Sequence, residues 1–234
     1  MRILITNDDG VNAPGLIALR RAAAGLGDII VAAPKLAVSG CSHRTTTDRA
    51  LHVDQRSNET YAIDGTSADC VRIAFHNLEA SFDWVLSGIN HGGNLGVDAY
   101  YSGTIAAVRE AALYGVPGIA ISQYHNHPLT DQDWERATSW AGVILKKLIA
   151  KTSQPGTFWN VNLPSVSLEK SLPNVVFCSL DPSPLPLSFE SSEDGNYKYN
   201  GKYSHRQRQD GSDVDVCFRG SISITEISVV KNSF

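Results

Sequence analysis

The chain opens "MRILITNDDG" (residues 1–10), a short apolar run followed directly by Asn7-Asp8-Asp9-Gly10. Ile3 to Thr6 reads as a buried strand, because strand-forming residues follow one another without polar alternation. The two adjacent carboxylates at its end are costly to bury, since each loses hydration and each repels the other unless a cation or hydrogen bonds compensate. The pair is therefore either a solvated turn, the commoner fate of a lone Asp-Asp-Gly, or a metal site.

Outward from that strand, helical and strand patterns alternate. Pro14-Gly15 opens a helical pattern through Leu16, Leu19, Ala23 and Leu26, and "DIIVAAP" (28–34) is a second apolar run ended by Pro34. "SADCVRIAFHNL" (67–78) reads as a helix capped by Ser67, with Cys70, Val71, Ala74 and Phe75 on one face. "DWVLSG" (83–88) is a third strand, "SGTIAAVREAALYG" (102–115) a helix ended by Gly115, and "GIAIS" (118–122) a fourth strand. "DWERATSWAGVILKKLIAK" (133–151) is the longest helix, and "TFWNVNLP" (157–164) another strand. Strands separated by helices predict an α/β fold with a Rossmann-like, doubly wound, mostly parallel sheet covered on both faces.

From about Asn174 the helical pattern disappears. "VVFCSL" (175–180), "NYKYNGKYSHRQR" (196–208) and "SISITEISVV" (221–230) alternate like strands, and "DPSPLPL" (181–187) and "SSEDGN" (191–196) are turn-rich connectors. We therefore expect a catalytic core over residues 1–173. Residues 174–234 would form a β-rich extension and oligomerisation element packed on it, with a projecting hairpin turning at Asn200-Gly201.

Composition narrows the function. The 234 residues carry 42% hydrophobic and 19% charged side chains, ordinary values for a globular protein with a sizeable core. A net charge of -4 argues against a polymeric nucleic-acid partner, which needs a basic face, but leaves a small phosphorylated substrate open. There is no signal-peptide pattern at Met1 and no stretch near the roughly 20 apolar residues that span a bilayer. The cysteines Cys41, Cys70, Cys178 and Cys217 form no zinc-type spacing. A cytoplasmic location with reduced thiols and no membrane is expected.

In a doubly wound sheet, ligands bind outside the carboxyl ends of the strands. Three loops leave such ends. The first holds Asn7, Asp8, Asp9 and Gly10; the second holds Ser39-Gly40, then Cys41, Ser42 and His43. The third, "INHGGNLGVDAYYSGT" (89–104), offers Asn90, Asn94, Gly92, Gly93 and Gly96 and ends at Ser102-Gly103-Thr104, where a helix begins. Taken singly each has a plain reading: a turn, a polar loop histidine at His43 and at His91, a helix-approach charge at Asp98. Together, two carboxylates, a hydroxyl and a carboxamide form an all-oxygen set suited to a hard cation such as Mg²⁺ or Mn²⁺. The third loop adds the free amides of a helix N-terminus for a phosphate group. The combination describes a metal-assisted phosphoester hydrolase.

These motifs resemble a known family. "ILITNDDG…APG", "APK…SG", "GTSADCV", "SGIN.G.N.G.D..YSGT…REA", "N.NLP" and "SITEI" are similar to the signature set of the stationary-phase survival proteins, SurE, over nearly the whole chain. The resemblance implies a metal-dependent phosphomonoesterase acting on nucleoside 5′- and 3′-monophosphates, in some members also on the ends of polyphosphate. It implies one divalent cation per subunit, Mg²⁺ or Mn²⁺ with Ca²⁺ as a substitute in crystals, on Asp8, Asp9, Ser39 and Asn90. Phosphate contacts would fall on Asn94, Ser102, Gly103 and Thr104. A homodimer with exchanged C-terminal parts, or a tetramer, is also implied.

Other classes fit less well. A signalling receiver would need an acceptor Asp after its third strand, and "DWVLSGIN" supplies none. A haloacid-dehalogenase-type phosphatase would want Asp-x-Asp, whereas Asp8 and Asp9 are adjacent. A non-catalytic, metal-dependent nucleotide-binding module remains the rival. For catalysis the candidates are Asp8, Asp9 and His43. The imidazole of His43, four residues past Ser39, is the candidate proton donor in a loop with few apolar neighbours.

Overall fold

The protein is described here from a computed structural model covering residues 1–77, 81–151, 154–166 and 171–229. Leu78 and Val230, the last residues of two segments read from the sequence, lie outside the described residues.

The opening run forms β1 (Arg2–Thr6), with Ile3, Leu4 and Ile5 fully buried. Pro14 starts α1 (Pro14–Ala22), as its fixed φ and missing N–H suit a first helical position, and the chain then enters β2 (Asp28–Pro34). Two strands follow that the sequence pattern does not announce, β3 (Val53–Ser57) and β4 (Thr60–Ile63). They precede α2 (Ser67–Asn77) and β5 (Trp84–His91). A short α3 (Asp98–Tyr101) leads into α4 (Gly103–Leu113) and β6 (Gly118–Gln123). The long α5 (Asp131–Ile149) begins at a capping box in which the Thr130 and Asp133 side chains each bond the other's backbone N–H. Its buried Ala137, Trp140, Ala141, Ile144, Leu145 and Leu148 recur at helical spacing, and β7 (Thr157–Leu163) follows.

In the tail come β8 (Val175–Phe177), β9 (Phe189–Ser191) and β10 (Tyr197–Tyr199). A 3₁₀ turn at Tyr203–His205, α6 (Asp213–Phe218) and β11 (Ile222–Ser228) complete it. Two expectations are corrected here. The tail does contain a helix: Ser212 caps α6 by accepting from the Asp215 N–H, and one helical turn outweighs the Asp-Val-Asp-Val alternation that resembles a strand. The hairpin turns at Asp194-Gly195, not Asn200-Gly201. Gly195 sits at φ +81°, and Tyr197 faces Ser191 while Tyr199 faces Phe189.

Among the described residues nine strands form one sheet, ordered β3-β4-β2-β1-β5-β6-β7-β11-β8. It is parallel except where β3 meets β4 and where β11 meets β7. The tail strand β11 thus lies inside the sheet, running from Ser223 opposite Asn162 to Ser228 opposite Thr157. Leu16 and Leu19 of α1 join Trp140 and Ile144 of α5 in one apolar layer. Val71 and Ala74 of α2 join Ile105, Val108 and Ala111 of α4 in another. The fold is a doubly wound, mostly parallel α/β sheet with antiparallel pairing added by the tail. The chain leaves β1 for β2 on one side and returns to β5 on the other, so the strand order reverses at β1 and β5, where such sheets open a crevice.

Candidate metal and phosphate site

Asp8 follows the carboxyl end of β1 and is 5% exposed, and Asp9 is half-buried. The Asn7 side chain closes the turn, donating from Nδ2 to the Gly10 carbonyl and accepting the Gly10 N–H at Oδ1. Asp8 is fixed from two sides: its carbonyl accepts the Val38 N–H at 2.8 Å, and its Oδ1 accepts the Thr104 hydroxyl. Burial pushes the Asp8 carboxyl up to about 6, against the Thr104 hydrogen bond that favours the charged form, and the neighbouring charge of Asp9 adds to the rise. Gly103 packs on this carboxylate so closely that a Cβ would come within 2.8 Å of Asp8 Oδ2. The start of α4 therefore approaches Asp8 only because residue 103 has no side chain.

β5 supplies the other wall. Asp9 Oδ2 accepts the His91 N–H at 3.1 Å, and Asn90 donates from Nδ2 to the Gly92 carbonyl, leaving its Oδ1 available. Asn94 is buried and held by β6 and β7. Its N–H donates to Asn162 Oδ1, its carbonyl accepts from Asn160 and Asn162, and its Nδ2 donates to the Ser122 hydroxyl. Asp98, a helix-approach charge as expected, also receives the tail: its Oδ2 accepts the Tyr203 hydroxyl at 2.5 Å and Arg206 Nη1 at 2.8 Å. Ser102 caps α4, its hydroxyl accepting the Ile105 N–H. That leaves Gly103 and Thr104 as the first two helical residues, whose N–H groups no intrahelical carbonyl can accept.

The second loop is tied down away from its tip. Thr46 donates from its N–H and its hydroxyl to the two carboxylate oxygens of Asp69 on α2, and the Ser42 hydroxyl donates to the Tyr100 carbonyl. His43 Nε2 lies 2.7 Å from Oε2 of Glu110, a residue of α4 that is 4% exposed, and Arg72 approaches the other oxygen at 3.3 Å.

Asp8, Asp9, Ser39 and Asn90 line one pocket of about 240 Å³, shared with Asn94, Ser102 and Gly103. The second-loop His43 is not among its lining residues, and Thr104 reaches it only through Asp8. Among the described residues no group of three or more His, Cys, Asp or Glu side chains is placed to hold a metal ion. A cation here would take its remaining ligands from the Ser39 hydroxyl and the Asn90 carboxamide. That all-oxygen set fits Mg²⁺ or Mn²⁺, and the desolvated charge of Asp8 beside Asp9 is what such an ion would neutralise. Tyr101 enters through the YSGT motif and the two asparagines of β7 through N.NLP, whereas Tyr203 belongs to this neighbourhood without any local signal, brought in by packing across 105 residues of chain to Asp98.

The profile described as Survival protein SurE matches residues 3–181. A protein of Nostoc sp. is 49% identical over 229 residues, covering 98% of this chain and 100% of its own. A protein of Paramagnetospirillum magneticum named 5′-nucleotidase SurE is 37% identical over 234 residues, covering 97% of this chain and 89% of its own length. In three dimensions, the crystal structure of the SurE protein from Aquifex aeolicus superimposes with a TM-score of 0.85 at 28% identity, over 99% of this chain and 95% of that one. Profile, relatives and fold agree with the motif set around Asp8 and Asp9: the chain belongs to the SurE family.

Proposed function

We propose that this protein is a divalent-cation-dependent phosphomonoesterase that releases phosphate from nucleoside monophosphates. The observation that carries the reading is the buried Asp8 beside Asp9, in one pocket with Ser39 and Asn90 and packed against the N-terminus of α4. Relatives named 5′-nucleotidase SurE supply the substrate class. A cation held by Asp8, Asp9, Ser39 and Asn90 would polarise a phosphoryl oxygen and activate water. The chain's own groups orient the substrate. The open N–H of Gly103 and the positive end of the α4 dipole receive phosphate oxygens, with Asn94 and Ser102 beside them. Thr104 acts through Asp8, holding one carboxylate oxygen so that the other faces the pocket. These contacts address the phosphate, so 3′-monophosphates and the termini of polyphosphate fall within the same reading.

A phosphate-release panel tests it. AMP with Mg²⁺ or Mn²⁺ should be hydrolysed, chelator should stop the reaction, and restoring metal should restart it. Full activity after exhaustive chelation would refute the cation site. Tight AMP binding with no release from any phosphomonoester would favour a nucleotide-binding module instead.

A further inference from the structure

The pocket holding Asp8 and Asp9, at about 240 Å³, is smaller than the roughly 300–1,000 Å³ of sites that engulf a drug-sized ligand. A cleft of that size takes a phosphate and a sugar and leaves a nucleobase at its mouth. Two tyrosines line it, Tyr101 and Tyr203, and they differ in freedom. The Tyr203 ring is already engaged: the Arg206 guanidinium lies 5.1 Å over it, Tyr124 and Phe218 stand at 6.2 and 6.1 Å, and its hydroxyl is given to Asp98. Tyr101 is 61% exposed, and among the described residues its ring has no aromatic, cation or hydrogen-bond partner. Its backbone, by contrast, is held. It ends α3, the following Ser102 N–H donates to the Asp98 carbonyl, and the preceding Tyr100 carbonyl accepts the Ser42 hydroxyl. An isolated exposed tyrosine needs no explanation. One presented from a fixed backbone at the edge of a pocket too small for its ligand does.

We infer that Tyr101 is the base-stacking residue of this site: with phosphate at the start of α4 and the sugar in the pocket, the nucleobase lies against the face of the Tyr101 ring. The inference rests on the phosphomonoesterase reading and deepens it. Recognition through a π-face tolerates every base, because all four have one. It also gives the enzyme a way to prefer nucleotides over plain sugar phosphates without hydrogen bonds to a base edge.

The test compares AMP with ribose 5-phosphate, which offers the same phosphoester without a base, on the unmodified protein, Tyr101→Ala and Tyr101→Phe. Tyr101→Ala should lower the ratio of kcat/KM for AMP to that for ribose 5-phosphate on the order of 10-fold, chiefly through KM, the size expected for losing one stacked base. Tyr101→Phe should keep the ratio. An unchanged ratio in Tyr101→Ala, whether both substrates fall together or neither does, overturns the inference. Should the unmodified protein hydrolyse neither compound, the phosphomonoesterase reading fails on its own account. Stacking is then judged by calorimetric affinities of AMP and ribose 5-phosphate for the same three proteins, where a preference for AMP that survives Tyr101→Ala refutes it.

Discussion

Burial holds the Asp8 carboxyl at about 6 against an ordinary 3.8, so near neutral pH the native state carries a charge that the unfolded chain carries more cheaply. The folded value lies above the unfolded one, and the folded protein therefore binds this proton more tightly. On this group's account, metal-free protein gains stability as pH falls from about 6 towards 3.8 and loses it as pH rises through the same window. The penalty above that window is roughly 3 kcal/mol at most. Asp8→Asn should remove it, keeping an acceptor for Thr104 while abolishing phosphate release. Scanning calorimetry of the metal-free proteins at pH 7 checks this: a lower Tm for Asp8→Asn than for the unmodified chain would contradict it. Mg²⁺ or Mn²⁺ should raise the Tm of the unmodified protein alone. His43 gives a second outcome at this scale. The sequence around His43 has few apolar neighbours, which by itself predicts that His43→Ala leaves stability nearly unchanged. The 2.7 Å contact to buried Glu110 alters that expectation, because truncating the ring leaves a carboxylate with only the 3.3 Å contact from Arg72. We expect a loss of about 1–3 kcal/mol in denaturant unfolding. A kcat loss on the order of 100-fold, measured well below Tm, would add a proton-donor role.

Two carboxylates join the tail to the third loop: Asp213 accepts the Gly96 N–H, and Asp98 receives two tail side chains. Arg206, whose side chain is fully buried, bonds Asp98 and the Leu95 carbonyl, and Tyr203 bonds the same Asp98 oxygen. Burial first, then the Asp98 carboxylate, push the Tyr203 phenol up, so it remains a donor throughout the ordinary pH range. Arg206→Met should therefore leave Asp98 facing a desolvated gap and loosen the segment that carries Asn94 and Ser102. The expected cost is on the order of 3–5 kcal/mol of stability, with a rise in KM for phosphoester. Unchanged KM and unfolding midpoint would show that the segment holds itself. This latch was not legible in the sequence, for its partners are separated by more than 100 residues. The Asp8–Asp9 turn and the Ser39 loop were legible because they follow the apolar strands β1 and β2; Asn90, expected in a loop after Gly88, instead lies within the carboxyl end of β5, paired with Ser122 of β6. α5 and β7 were legible through long periodic or continuous apolar runs. β3, "VDQRS", was hidden: it is an edge strand with mostly exposed polar residues, stabilised by backbone pairing to β4 and not by a buried face. In the hairpin, two dipeptides of turn chemistry, Asp194-Gly195 and Asn200-Gly201, compete, and strand pairing decides between them.

Among the described residues, the central strands of the large sheet are buried under helices on both faces, whereas the β9–β10 hairpin forms a separate two-stranded sheet. Its strands have three residues each, and a two-stranded ribbon of that size is marginal alone. Yet it displays Phe189, Tyr197 and Tyr199 at 55%, 74% and 46% exposure, next to Leu187 at 93%. So concentrated an apolar surface on so weak a support is expected to be covered by another surface. The simplest cover is a second copy of the chain, and the tail's antiparallel β11 already ties the hairpin's flanks into the core sheet that would carry the partner. We therefore expect a dimer, or a larger even assembly, at micromolar concentration. Tyr197→Asp combined with Phe189→Asp should shift the mass towards monomer while far-UV circular dichroism stays native, because these side chains contribute nothing to either buried layer. Light scattering decides the matter. A monomer mass for the unmodified chain would mean that the hairpin's aromatic face is solvated in the free protein. A monomeric double variant with undiminished AMP hydrolysis would place the whole catalytic pocket within one chain, as the joint lining of that pocket by Asp8, Asn90, Ser102 and Tyr203 leads us to expect.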